Sequence, residues 1–184
     1  KNDEKNFEIL ATSELYKVTL GGVQKLWQKR DMYNNISISP NGNYVLVSSI
    51  QKPFSYLVPY SRFPVQYSIY SMKGEKVKIL SEVPLIEDLP KGFMAVREGK
   101  RGFSWRLDKP ASIYYVNALD RGDPKNDVEF RDEVSQLDAP FDKNPIKILK
   151  TKNRYYRISW CNDTLAIGFD YWWNNRNTKT YLFN

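Results

Sequence analysis

The sequence predicts an all-β chain, and three observations carry that prediction. A strand, turn, strand pattern occurs three times, as Ile36-Ser-Ile-Ser-Pro-Asn-Gly-Asn-Tyr-Val-Leu-Val47, Phe103-Ser-Trp-Arg-Leu-Asp-Lys-Pro-Ala-Ser-Ile-Tyr-Tyr-Val116 and Ile158-Ser-Trp-Cys-Asn-Asp-Thr-Leu-Ala-Ile167. Aromatic residues make up 15% of the chain, thirteen of them tyrosines, and flat rings suit the pleated, half-buried surface of a sheet. Helical periodicity over ten or more residues is absent; the nearest candidate, 127–136, lacks a convincing apolar face.

In chain order, strands are expected at 14–20, 23–27, 36–39, 44–50, 65–70, 76–80, 102–106, 112–117, 133–137, 146–150, 155–160, 164–169 and 178–183. Most are rich in Val, Ile, Tyr and Trp. Turn pairs such as Gly21-Gly22, Asn41-Gly42 and Lys73-Gly74 separate several of them. The repeated pattern groups these strands into four blade-like units at about 14–27, 36–80, 102–150 and 155–183. Four strands per unit is the make-up of a β-propeller blade, so the chain reads as a partial β-propeller, about two complete four-stranded blades flanked by incomplete blades. A closed propeller needs at least about four blades. The 184 residues therefore read as a segment of one larger propeller domain.

Two long connections interrupt the units. Residues 51–64 carry Pro53, Pro59 and Pro64 among aromatic side chains, and residues 81–101 carry Pro84, Pro90, Gly92 and Gly99. Proline fixes the backbone and removes an amide donor, so both are expected to be ordered loops rather than strands. Long ordered loops on a rigid scaffold are where binding commonly resides.

Composition limits the chemistry. There is no histidine, which removes the commonest general base and leaves no serine or cysteine triad to assemble. Cys161 is the single cysteine, so no disulfide can form within the chain and zinc lacks its usual ligands. Asp120, Asp123, Asp127 and Glu129 crowd one loop, but their spacing does not match an EF-hand, and a charged surface loop is the preferred reading. No cofactor is expected. No apolar run approaches the roughly 20 residues that span a bilayer, so no membrane partner is expected either. The opening stretch Lys-Asn-Asp-Glu-Lys-Asn is polar, without a signal-peptide pattern, and reads as a processed or trimmed start.

The net charge is +7. Lys143, Lys147, Lys150, Lys152, Arg154 and Arg157 follow one another with no acidic residue among them, beside Tyr155, Tyr156 and Trp160. That mixture resembles a single-strand nucleic-acid binder. The alternative is a strand whose Ile146, Ile148 and Leu149 face inward with the charges on a solvated edge. No recognised nucleic-acid module accompanies the charge, so the second reading is preferred and no nucleic-acid partner is expected.

Three longer stretches carry a resemblance: Lys52-Pro-Phe-Ser-Tyr-Leu-Val-Pro-Tyr-Ser-Arg-Phe-Pro64, Val96-Arg-Glu-Gly-Lys-Arg-Gly-Phe-Ser-Trp-Arg-Leu-Asp-Lys-Pro110, and Tyr114-Tyr-Val-Asn-Ala-Leu-Asp-Arg-Gly-Asp-Pro-Lys125 running on to Val128-Glu-Phe-Arg-Asp132. They resemble the N-terminal β-propeller of the prolyl oligopeptidase family of serine peptidases, in its glutamyl endopeptidase-like branch. The closing stretch Leu165-Ala-Ile-Gly-Phe-Asp-Tyr-Trp-Trp173 is similar to the end of the same segment. The resemblance implies a propeller that caps an α/β-hydrolase domain and filters peptide substrates on their way to it. It places the catalytic Ser, Asp and His in that C-terminal domain, which is the partner expected for this chain. The chain itself has no Gly-x-Ser-x-Gly and no His, so no catalytic residue carries over. For a bacterial parent the resemblance favours a periplasmic or secreted location. Arg121 departs from the family pattern, in which a glycine is expected there.

Arg62, Arg97, Arg101 and Arg106 lie in or beside the two long loops, and guanidinium groups grip carboxylates in a bidentate manner. They are the candidate substrate contacts; the alternative is that they tie the loops to carboxylates such as Asp108, Asp120 or Glu129. The competing functional class is a stand-alone β-array interaction module that binds protein or polyanionic partners. A propeller cut open would also leave apolar surface at both ends, so self-association of the isolated segment is expected.

Overall fold

A computed structural model describes residues 2–162 and 164–183. Among them are thirteen strands, all paired antiparallel, in four sheets of two, four, four and three strands. The chain divides into two compact units, one formed by the residues up to Ile38 with Gly42–Glu87, the other by Ser39–Asn41 with the residues from Asp88 onward.

The first unit opens with a helix, α1 (Asn2–Ala11), then β1 (Ser13–Val18) and β2 (Gln24–Asp31) as a two-stranded sheet. A four-stranded sheet follows in simple sequence order: β3 (Tyr33–Ile38), β4 (Tyr44–Ile50), β5 (Val65–Ser71) and β6 (Lys76–Val83). β4 reads Tyr-Val-Leu-Val-Ser-Ser-Ile, and six of its seven residues are buried. An interior strand covered on both faces needs this unbroken run rather than alternation.

The helix corrects the expectation of an all-strand chain. Its ten residues bury none of their number, and Ile9 and Leu10 stay exposed, so periodicity gave no signal. Its cause is local and tertiary together. Asp3 and Glu4 sit in the first turn, where the helix dipole favours anions. Phe7 then meets Phe54 edge-on at 5.0 Å and Phe63 at 5.6 Å. Those two rings belong to the 51–64 loop, which contributes to a small core of Met32, Ile50 and Phe63 at the end of the four-stranded sheet. The loop is thus folded into the unit, with a 3-10 turn at Tyr60–Arg62.

The two-stranded sheet rests on the β5–β6 turn. Trp27 Nε1 donates to the Met72 carbonyl at 3.1 Å and Gln28 Nε2 to that of Gly74 at 2.7 Å. Gly74 has φ 95, and a Cβ there would stand 3.0 Å from the Trp27 carbonyl oxygen. Glycine is required at this turn on both counts.

The second unit contains the sheet β7 (Lys100–Trp105), β8 (Ser112–Ala118), β9 (Asp132–Asp138) and β10 (Ile146–Thr151), again in sequence order. It also contains the three-stranded sheet β11 (Arg154–Trp160), β12 (Ala166–Trp172) and β13 (Asn177–Phe183). In the four-stranded sheet Ile113, Val116 and Val134 are fully buried, and the Trp105 and Phe141 rings lie 6.3 Å apart. Every expected strand is present, with ends shifted by a few residues.

Candidate functional site

The second unit gathers its charged side chains where the strands β9 and β11 begin. Asp132 opens β9, Arg154 opens β11, and Asp120 stands in the turn after β8. Asp120, Asp132 and Arg154 are all buried. The Arg154 guanidinium reaches four partners: Nε donates to the Met94 carbonyl at 2.7 Å, and Nη1 to Asp120 Oδ1 at 2.8 Å, to Asp132 Oδ1 at 3.2 Å and to the Arg131 carbonyl at 3.5 Å. Its Nη2 lies 2.7 Å from Asp120 Oδ2, a charge contact rather than a well-angled hydrogen bond. Arg131 pairs with Asp120 at 2.9 Å, and Arg101 with Asp132 at 2.6 Å. The Tyr155 amide donates to Asp132 Oδ2 at 2.7 Å. Three guanidinium groups thus enclose two carboxylates, and every oxygen of those carboxylates is taken. Such a site carries excess positive charge and has no carboxylate left to act as a base.

The network fixes the long loop. Met94 is held by Arg154, and the Val96 amide donates to the Gly122 carbonyl at 3.0 Å. Gly122 has φ 80, and a Cβ there would lie 1.9 Å from the Val96 carbonyl oxygen. Its neighbour Arg121 has φ 56, the left-handed conformation that glycine adopts freely. The glycine that the family resemblance implies at 121 would take this conformation without strain. Arg131, which pairs with Asp120, also lies 4.3 Å over Trp172, while at the β12–β13 turn Phe93 stacks on Trp173 at 5.1 Å and Arg176 lies 3.6 Å over Trp173.

A second anchor sits inside the three-stranded sheet. Asp170 is fully buried and accepts from the Asn153 amide at 3.0 Å, Asn153 Nδ2 at 2.9 Å, the Lys179 amide at 3.1 Å and the Tyr181 hydroxyl at 2.6 Å. Burial, reinforced by this bond to a carboxylate, pushes the Tyr181 phenol up to about 12.

The four arginines singled out from the sequence have different fates. Arg101 holds Asp132, as above. Arg106 is buried, grips Asp108 through Nε at 3.1 Å and through Nη2, donates to Gln136, and lies 3.7 Å over the Trp160 ring. Burial, the largest single influence, would raise the Asp108 carboxyl, but the Arg106 hydrogen bonds, a bond from its own backbone amide and the charges of Arg106 and Lys109 together outweigh it and hold the group below its usual value. Arg97 donates to the carbonyls of Glu98 and Lys100. Arg62 lies in the first unit at the end of the 3-10 turn, half-buried, and its carbonyl accepts from the Ile86 amide at 3.0 Å. It forms no ion pair among the described residues.

The basic stretch is dispersed. Lys147 and Lys150 flank Glu133 at 3.2 and 3.9 Å, Arg154 is buried, and Arg157 lies 4.5 Å over Phe169. Among the described residues no cluster of His, Cys, Asp or Glu could hold a metal ion, and no helix is long and apolar enough to cross a membrane. Sequence reasoning passed over Arg131, Arg154 and Asp132 as site residues. The one usable signal was that arginine and aspartate recur at strand starts.

The fold is a set of antiparallel sheets, and in the second unit an arginine–aspartate clamp joins its two sheets. No protein-family model matches the chain. It is 38% identical over 180 residues to a protein of Oryza sativa subsp. japonica named "Probable glutamyl endopeptidase, chloroplastic" and 35% identical over 180 residues to the protein of the same name in Arabidopsis thaliana. Each alignment takes in 97% of this chain but 19% of the relative, so the chain spans about a fifth of the length of those relatives. Of the resemblance read from the loop motifs, the likeness to proteins named glutamyl endopeptidase is thus found along nearly the whole chain. A crystal structure of an uncharacterized protein from Listeria monocytogenes matches 95% of this chain and 44% of its own, with a TM-score of 0.55 and 14% identity, a likeness of fold alone.

Proposed function

We propose that this chain is a non-catalytic segment of the β-propeller of a serine peptidase of the glutamyl endopeptidase type, where it caps an α/β-hydrolase domain and filters the peptides that reach it. The observation that carries the reading is 38% identity over nearly the whole chain to about a fifth of a much longer protein bearing that name. Sequential four-stranded sheets support the blade reading, with the 36–80 and 102–150 units as complete blades and the 14–27 and 155–183 units as partial ones. The absence of histidine and of a Gly-x-Ser-x-Gly elbow supports a scaffold role. Among the four candidate arginines, Arg101 and Arg106 hold internal carboxylates, and Arg62, half-buried and without an ion pair among the described residues, is the strongest substrate contact.

The purified chain is expected not to hydrolyse peptides with glutamate before the scissile bond. In the longer protein Arg62→Gln is expected to raise KM for such peptides several-fold with kcat retained. Turnover by the isolated chain that a serine-directed inhibitor abolishes would overturn the proposal.

A further inference from the structure

The outer face of β11–β13 has the chemistry of an interface, with nothing among the described residues laid across its cavity. The opposite side of the sheet is occupied: Ala166, Gly168 and Asp170, alternate residues of β12, are buried. On the outer face Arg157, Phe169 and Thr180 stand in register across the three strands, followed by Tyr171 beside Thr178. With Tyr156 they line an open cavity of about 500 Å³. Arg157 is laid over Phe169 at 4.5 Å. At the hairpin tip Arg176 is laid over Trp173 at 3.6 Å and donates to the Tyr171 hydroxyl at 3.3 Å. Neither guanidinium has a carboxylate within ion-pair distance among the described residues.

The junction between the two sheets of this unit shows what complements such a face. There Arg154 of β11 meets Asp132 of β9, and Arg106 lies over Trp160 of β11. One sheet supplies the guanidinium and the other supplies the carboxylate or the ring.

We propose that the outer face of β11–β13 seats a further antiparallel sheet of the longer protein, and that this sheet brings carboxylates opposite Arg157 and Arg176. The inference rests on the proposed function, since it needs the longer protein, and the relatives being some five times the length of the aligned segment leave ample chain to supply the sheet. Acidic chemistry follows from desolvation: a guanidinium covered without a partner is costly, so whatever covers this face must bring negative charge. A second copy of the chain is a poor occupant. The one carboxylate on the three strands, Asp170, is buried on the other side, so two copies face to face would oppose arginines to arginines.

Hydroxyl-radical footprinting of the isolated chain and of the longer protein tests this. Labelling of Tyr156, Phe169 and Tyr171 is expected to fall several-fold in the longer protein. Arg157→Glu is expected to lower the melting midpoint of the longer protein by several degrees while leaving that of the isolated chain almost unchanged. Equal labelling in both proteins overturns the inference, and so does an Arg157→Glu effect of the same size in both. Protection that appears only as the isolated chain dimerises, and is absent from the monomeric longer protein, also overturns it. Peptide hydrolysis by the longer protein is scored separately, so an active enzyme with an unprotected face removes this inference and leaves the proposed function standing.

Discussion

Two adjacent residues in the turn after β8 carry opposite penalties. At Gly122 a side chain would collide with the Val96 backbone in a conformation that already disfavours one. Gly122→Ala is expected to destabilise the chain by about 2–4 kcal/mol in urea unfolding. Arg121 bears the left-handed cost without need, because its side chain is exposed. Arg121→Gly is expected to be neutral or to stabilise by up to about 1 kcal/mol, the strain relieved being partly offset by a freer unfolded chain. Tyr181 supplies a pH prediction. Its phenol is held protonated in the fold up to about 12, against about 10 for a phenol free in water. The stability it contributes is therefore fully present below pH 10 and is lost as pH rises from there through about 12. Burial also pushes the Tyr33 phenol up to about 12 and the Tyr155 phenol higher, so an alkaline titration of phenolate absorbance should show a late component that Tyr181→Phe reduces by one phenol, with a correspondingly shallower alkaline fall in stability.

Individual elements were legible from sequence where packing and local preference agree. β4 announces itself as a strand covered on both sides, and the Lys73-Gly74 turn announces the β5–β6 connection. α1 was not legible, because the ring that fixes it has its partners in the loop 51–64, some fifty residues away. Phe7 is accordingly the hinge of a prediction at this scale. Phe7→Ala is expected to cost about 1–3 kcal/mol locally, less than a fully buried phenylalanine, because the ring is only partly covered. Amide exchange should report lost protection across Asn2–Ala11 with β4 and β5 unchanged; protection retained in the helix would show that Phe7 does not hold it.

For the whole molecule, strand count and grouping followed from turn residues and alternating apolar residues, which act over short distances. The arginine–aspartate network did not follow. Arg154 is separated from Asp132, Asp120 and Met94 by 22, 34 and 60 residues, and nothing local marks it as different from the exposed lysines around it. Its burial turned an apparent surface charge into the joint between two sheets, and reduced the positive stretch that had suggested a polyanion site.

That separation also orders events in time. The Arg154 contacts can close only after β9 and β11 exist and the loop from Asp88 onward has come back over them, because loop-closure entropy must be met first. The clamp is thus expected to be absent from the folding transition state. Arg154→Met should then leave the refolding limb of the chevron nearly unmoved and steepen the loss on the other side: most of an expected cost of about 3–5 kcal/mol should appear as faster unfolding. Stopped-flow measurement of both limbs decides it, and an equal share of slowed refolding would place the clamp in the nucleus. On this account the buried arginine is a brake on opening, and governs how long the assembled sheets persist more than how quickly they assemble.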